Sequence, residues 1–152
     1  MDLRDLYQDI ILDHGRRPRN FRPIEHPTHK AQGHNPLCGD RVTIYVDLDG
    51  DRIGDLSFQG RGCAISTAAA SLMTEVLKGK TVAEARELFA QFRARVTGGS
   101  APALCEPLAE ELDRLEPLTG VKAYPARVKC ATLSWHALEA ALKGSGETVK
   151  TE

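Results

Sequence analysis

Between Arg41 and Asp49 the chain alternates without a break. Val42, Ile44, Val46 and Leu48 fall on one side, and Arg41, Thr43, Tyr45 and Asp47 on the other. A period of two over this length predicts a strand with one buried face. Asp49-Gly50 follows, a dipeptide suited to the positive φ of a tight hairpin turn. A return strand over about 52–60 carries Ile53, Leu56 and Phe58, and its phase slips at Gly54, which predicts a β-bulge there. A weaker strand signal lies at 28–34. Elsewhere the period lengthens to that of a helix. Leu3, Leu6, Tyr7, Ile10 and Ile11 predict a helix over 2–14, stopped by Gly15. Ile65, Ala68, Ala69, Leu72, Met73, Val76 and Leu77 form a helical stripe inside 60–79, ending at Gly79. Thr81 with Glu84 three residues on is a capping box for a helix over about 82–96. A short helix is expected at 105–114, and a last one over about 127–143 with Val128, Leu133, Leu138 and Leu142 inward. Proline-rich 15–37, GGSAPA at 98–103 and the stretch from Pro117 to Pro125 read as loops. This order predicts an α+β domain, a small antiparallel sheet with helices packed on one face. It is one domain over 1–143, followed by a tail over 144–152 expected to be disordered.

Length and charge narrow the function classes. A chain of 152 residues is long enough for one domain with a real core. Its 20 basic and 21 acidic side chains give a net charge of −1, which argues against a nucleic-acid partner. No apolar run approaches the ~20 residues that span a bilayer. The N-terminus is acidic and amphipathic, without the basic and apolar regions of a signal peptide. A cytoplasmic protein with no membrane partner is the expectation. There, four cysteines (Cys38, Cys63, Cys105 and Cys130) are expected to be core residues, metal ligands or reactive thiols rather than staples. No CxxC pair is present, so the common zinc-finger spacing is absent.

Position matters more than spacing for these cysteines. Cys38 precedes the first confident strand, Cys63 falls where the second strand yields to a helix, and Cys130 lies early in the last helix. Element ends are where side chains from distant segments can converge. Gly39, Gly60 and Gly62 flank two of them and permit close backbone approach. A thiol near a helix N-terminus gains thiolate character from the backbone N–H groups. Asp40 completes a set of four donors able to surround one zinc ion, with Zn–S near ~2.3 Å and Zn–O near ~2.0–2.2 Å. Each residue also has a plainer reading: Cys63 and Cys130 as small core residues, Asp40 as a turn cap. A thiol hydrolase pairing Cys38 with His34 or His136 is weaker, because no third orienting group is in view. His136 lies six residues after Cys130, on a different helical face.

Three stretches in combination resemble one family: NPLCGDRV at 35–42, FQGRGCAIS at 58–66 and ARVKCATLSWHAL at 126–138. Together with LYQDIILDHGRRPRNF at 6–21, they resemble the IscU/SufU-like (NifU N-terminal) family of iron–sulfur cluster assembly proteins over about residues 3–143. The SufU-type branch is the nearer likeness. Lys129 stands where the scaffold branch has a histidine before the last cysteine, and residues about 91–124 carry extra material.

The resemblance implies zinc held by Cys38, Asp40, Cys63 and Cys130. It implies a zinc-dependent, sulfurtransferase-like acceptor rather than a stand-alone enzyme. Cys38 would take persulfide sulfur from a SufS-type cysteine desulfurase and relay it to a downstream cluster scaffold or other sulfur recipient. The alternative it carries is a scaffold assembling a 2Fe–2S cluster, or binding iron, on the same ligands. Arg127, three residues before Cys130, is expected to pair with Asp40 or a released thiolate, or else to be a solvated surface arginine. Cys105 matches no family ligand.

Overall fold

The computed structural model describes residues 3–36, 39–101, 104, 108–144 and 148–150, so Cys38 and Cys105 lie outside the described residues. Helix α1 (Leu3–Arg16) is followed by strands β1 (His29–Asn35), β2 (Asp40–Asp49) and β3 (Arg52–Arg61). Then come α2 (Ala64–Leu77), α3 (Val82–Thr97), α4 (Leu108–Asp113), a 3-10 helix (Glu116–Ala123), α5 (Pro125–Leu142) and β4 (Thr148–Lys150).

The sheet runs β3-β2-β1-β4, with β2 antiparallel to both β1 and β3. Asp40, Val42, Ile44 and Val46 are buried on one face of β2, while Arg41 and Asp47 on the other are exposed. Helix α5 covers β1 and β2, and α2 covers β3 and packs on α5. This is the expected α+β arrangement. The bulge is also where the phase slip put it: Asp47 pairs with Asp55 and Leu48 with Ile53, leaving Gly54 as the extra residue. Thr81 and Glu84 close the capping box of α3 in both directions.

Two departures have simple causes. Residues 148–150, within the tail expected to be disordered, pair in parallel with β1, Gln32 opposite Thr148 and His34 opposite Lys150. Strand β1 would otherwise leave an unpaired backbone edge, and Thr-Val is a strand-forming pair that can fill it. The stretch read as loop before Pro125 is a 3-10 helix, started by Pro117 and held by buried Leu118 and Val121 three residues apart.

The weakness of β1 in the pattern has a packing reason. Its inward residues are Ala31, Gly33 and Asn35, and a Cβ on Gly33 would lie 3.0 Å from Leu133 Cδ1 of α5. The helix presses so closely there that only small side chains fit beneath it. Behind α5, Trp135 stacks between Phe89 and Phe92, with centroids 5.5 and 5.6 Å away.

The loop after α1 is tied to α2 by a polar network. Ser71 Oγ accepts from the Arg19 amide at 2.8 Å and lies 2.7 Å from His14 Nδ1. Its hydroxyl hydrogen is thus available to the imidazole, which suits the neutral form. Burial lowers the His14 pKa below its ordinary 6.5; the Arg19 charge adds to this, and Glu75 and Asp13 oppose it. The folded pKa is therefore below the unfolded one, so between the two the unfolded chain binds more protons. This stability is present above about pH 6.5 and is lost as pH falls through the folded value. Thermal midpoints should drop on acidification from pH 7.5 to 5.5, and less steeply in His14→Asn. Equal slopes would place the acid sensitivity elsewhere, with His136 the next candidate because burial lowers its pKa too.

Candidate metal centre

Asp40, the first residue of β2, points to the helical side of the sheet and is fully buried. Gly39 before it has φ +74° and donates its N–H to Asn35 O at 2.9 Å. Strand β1 ends at Asn35 and β2 begins at Asp40, and Cys38 lies between them in sequence. Cys63 is the N-cap of α2: its backbone is extended, and its sulfur accepts the Ser66 N–H at 3.4 Å. Cys130 lies in the second turn of α5 and is 1% exposed.

These three residues converge. One ligand atom from each of Asp40, Cys63 and Cys130 lies within 4.8 Å of the others. Cys63 Sγ is 3.8 Å from Asp40 Oδ2. A tetrahedral zinc with the bond lengths above separates neighbouring donors by roughly 3.5–3.8 Å, so the set fits such an ion. The carboxylate divides its work. Oδ1 accepts the Cys63 backbone N–H at 2.9 Å, which fixes the side chain, and Oδ2 faces the Cys63 sulfur. Two sulfurs and one oxygen are also a donor set on which iron can be held.

Glycines make this approach possible. A Cβ on Gly62 would sit 2.5 Å from Asp40 Oδ1 and 3.0 Å from its Cγ. At Gly60, φ is +150° and a Cβ would overlap the Arg41 carbonyl. Gly62→Ala should push Asp40 out of place and weaken metal binding about 10–100-fold, the usual cost of losing a ligand's supporting contact. Competition with a chromophoric chelator measures this; unchanged affinity would mean the carboxylate is not held by this contact.

Arg127, one turn before Cys130 on α5, is exposed. Its hydrogen bond to the Cys130 sulfur, with the charges of Cys63 and Cys130, raises its guanidinium pKa above the ordinary value. The side chain thus reaches the two sulfurs from outside. Lys129 is half-buried. The two histidines considered for a hydrolase differ in placement. His34 is on β1, opposite Arg41, whereas His136 packs edge-on against Phe89 with centroids 5.2 Å apart. Sequence spacing did not single out Gly62 as the residue against which Asp40 is seated. The only trace was a glycine one residue before a cysteine.

No helix among the described residues is long and apolar enough to cross a membrane. The family model for the NifU-like N-terminal domain matches residues 6–131. The chain is 40% identical over 143 residues to a protein named iron–sulfur cluster assembly scaffold protein IscU from Streptococcus pyogenes serotype M1, covering 94% of this chain and 86% of that one. It is 40% identical over 138 residues to the zinc-dependent sulfurtransferase SufU of Bacillus subtilis, covering 91% and 90%. A crystal structure described as an iron–sulfur cluster assembly scaffold protein for the SUF system, from Fervidobacterium islandicum AW-1, superposes with a TM-score of 0.81 at 35% identity. It covers 93% of this chain and 99% of that one. With this fold and these matches over most of its length, the chain belongs to the NifU-like N-terminal domain family.

Proposed function

We propose that the chain works in iron–sulfur cluster assembly as a zinc-bound sulfur acceptor for a cysteine desulfurase. The observation that carries this reading is the convergence of Asp40, Cys63 and Cys130 within 4.8 Å, with Cys38 two residues before Asp40. Likeness to a relative named a zinc-dependent sulfurtransferase supports it. Zinc, when bound, supplies a Lewis acid that keeps thiols deprotonated and guards them against oxidation. Asp40, Cys63, Cys130 and Cys38 are the residues that hold it in this reading.

The transfer itself belongs to Cys38. Its thiolate attacks the outer sulfur of the donor's persulfide, the donor S–S bond breaks, and the donor leaves as a thiolate. A persulfide then stands on Cys38, ready for a second thiol or a cluster scaffold downstream. Arg127 holds positive charge against the sulfurs of Cys130 and Cys63 at the edge of the site.

A second reading is favoured by the likeness to a relative named a scaffold protein. In it, the same four residues hold a 2Fe–2S cluster, which is cargo rather than a resident cofactor. Metal analysis of aerobically purified chain separates the two. The acceptor reading expects about one zinc per chain, the occupancy of a single four-donor site. Iron with a comparable amount of acid-labile sulfide would overturn it in favour of the scaffold.

A further inference from the structure

The strand register assembles a feature that no single stretch of sequence displays. Lys150 of β4 pairs with His34 of β1, His34 with Arg41 of β2, and Arg41 with Arg61 of β3. Basic positions therefore follow one another across β1, β2 and β3, spanning about 10 Å at the ordinary strand spacing. The row lies at the sheet end that carries Asp40 and, in sequence, Cys38. Arg41 alternates with buried Asp40 and Val42, so it stands on the outer face, and both Arg41 and Arg61 are exposed.

This arrangement is unfavourable in the isolated chain. Like charges directly opposite on one face repel, and among the described residues neither Arg41 nor Arg61 is in an ion pair. Four arginines elsewhere are in ion pairs: Arg19 with Asp13, Arg22 with Asp55, Arg95 with Glu116, and Arg114 with Glu111. Nor does general basicity explain the row, since the chain's net charge is −1. The sheet is polarised instead. The opposite end, around the β2–β3 turn, carries Asp47, Asp49 and Asp51, with Arg52 beside them and Asp55 paired with Arg22 and Lys78.

We propose that this row, His34–Arg41–Arg61, is the docking surface for an acidic segment of the desulfurase that delivers sulfur to Cys38. The proposal rests on the acceptor reading above. Sulfur delivery requires the donor persulfide to be brought to the β1–β2 turn, and the row borders that turn. Fixed positive charge there steers an acidic surface into register before any short-range contact forms. A protein partner suits the row better than nucleic acid does, because the chain as a whole carries a net charge of −1 rather than a strongly basic face.

Steady-state activation of a SufS-type desulfurase, titrated with the zinc-loaded full chain at several salt concentrations, tests this. The KM for the wild-type chain should rise with salt. Arg41→Glu/Arg61→Glu should raise KM about 10-fold at low salt and flatten its salt dependence, while kcat at saturation stays unchanged, as rim charges act mainly on association. Arg41→Lys/Arg61→Lys should keep the wild-type KM. Zinc content and melting temperature of each variant report folding. A KM unmoved by the reversals, or raised equally by the lysine pair, would overturn the docking surface and leave the acceptor reading standing. If the wild-type chain fails to stimulate the desulfurase at all, the acceptor reading fails and the docking proposal falls with it.

Discussion

Cys63→Ala should lose its metal and melt at a lower temperature, and the two effects are separable. Cys63 does two jobs: its sulfur belongs to the donor set, and the same sulfur caps α2 through the Ser66 N–H. Removing a cap costs about 0.5–2 kcal/mol. Removing a donor should weaken metal binding by more than about 100-fold, since loss of a supporting contact alone reaches that range. Cys63→Ser tells the two apart. The hydroxyl caps α2 well but is a poor zinc donor, so the metal-free serine variant should melt near the metal-free wild type while still failing to retain zinc. If Cys63→Ala keeps zinc through dialysis against a chelator, the sulfur is not a ligand.

The second large effect concerns Asp40. Its carboxylate is fully buried and accepts the Cys63 amide at 2.9 Å. Asp40→Ala leaves that amide without its acceptor, which costs about 1–3 kcal/mol when buried, and removes the oxygen donor as well. Asp40→Asn retains one acceptor oxygen in the same shape but replaces the other oxygen, and the negative charge, with an NH2 group. The asparagine variant should therefore recover most of the thermal stability while zinc affinity stays reduced. Isothermal titration alongside thermal melting reads both. Equal stability of the alanine and asparagine variants would show that the Cys63 amide does not depend on this side chain.

What the sequence made legible was local. The bulge at Gly54 and the capping box of Thr81 and Glu84 depend on residues a few positions apart, and both are present. Strand β1 was faint because its core side includes Ala31 and Gly33, kept small by Leu133 above them. Strand β4 was missed because its existence depends on a free edge made over a hundred residues earlier in the chain. The site was half legible. Three cysteines at element ends, with an aspartate beside one of them, suggested convergence. The structure brings Asp40, Cys63 and Cys130 together, while Cys38 lies outside the described residues. The seating of Asp40 against Gly62 and the basic row across the sheet both depend on strand order and register. Neither is written in any window of sequence.

The measurement closest to the central claim is sulfur uptake at Cys38. The zinc-loaded chain is mixed with a SufS-type desulfurase and cysteine, and the peptide holding Cys38 is followed by mass spectrometry. The account predicts added sulfur on Cys38, removable by a thiol reductant, and no uptake by Cys38→Ala. Uptake by Cys38→Ala at the wild-type rate, or stable addition to a different cysteine, would contradict it.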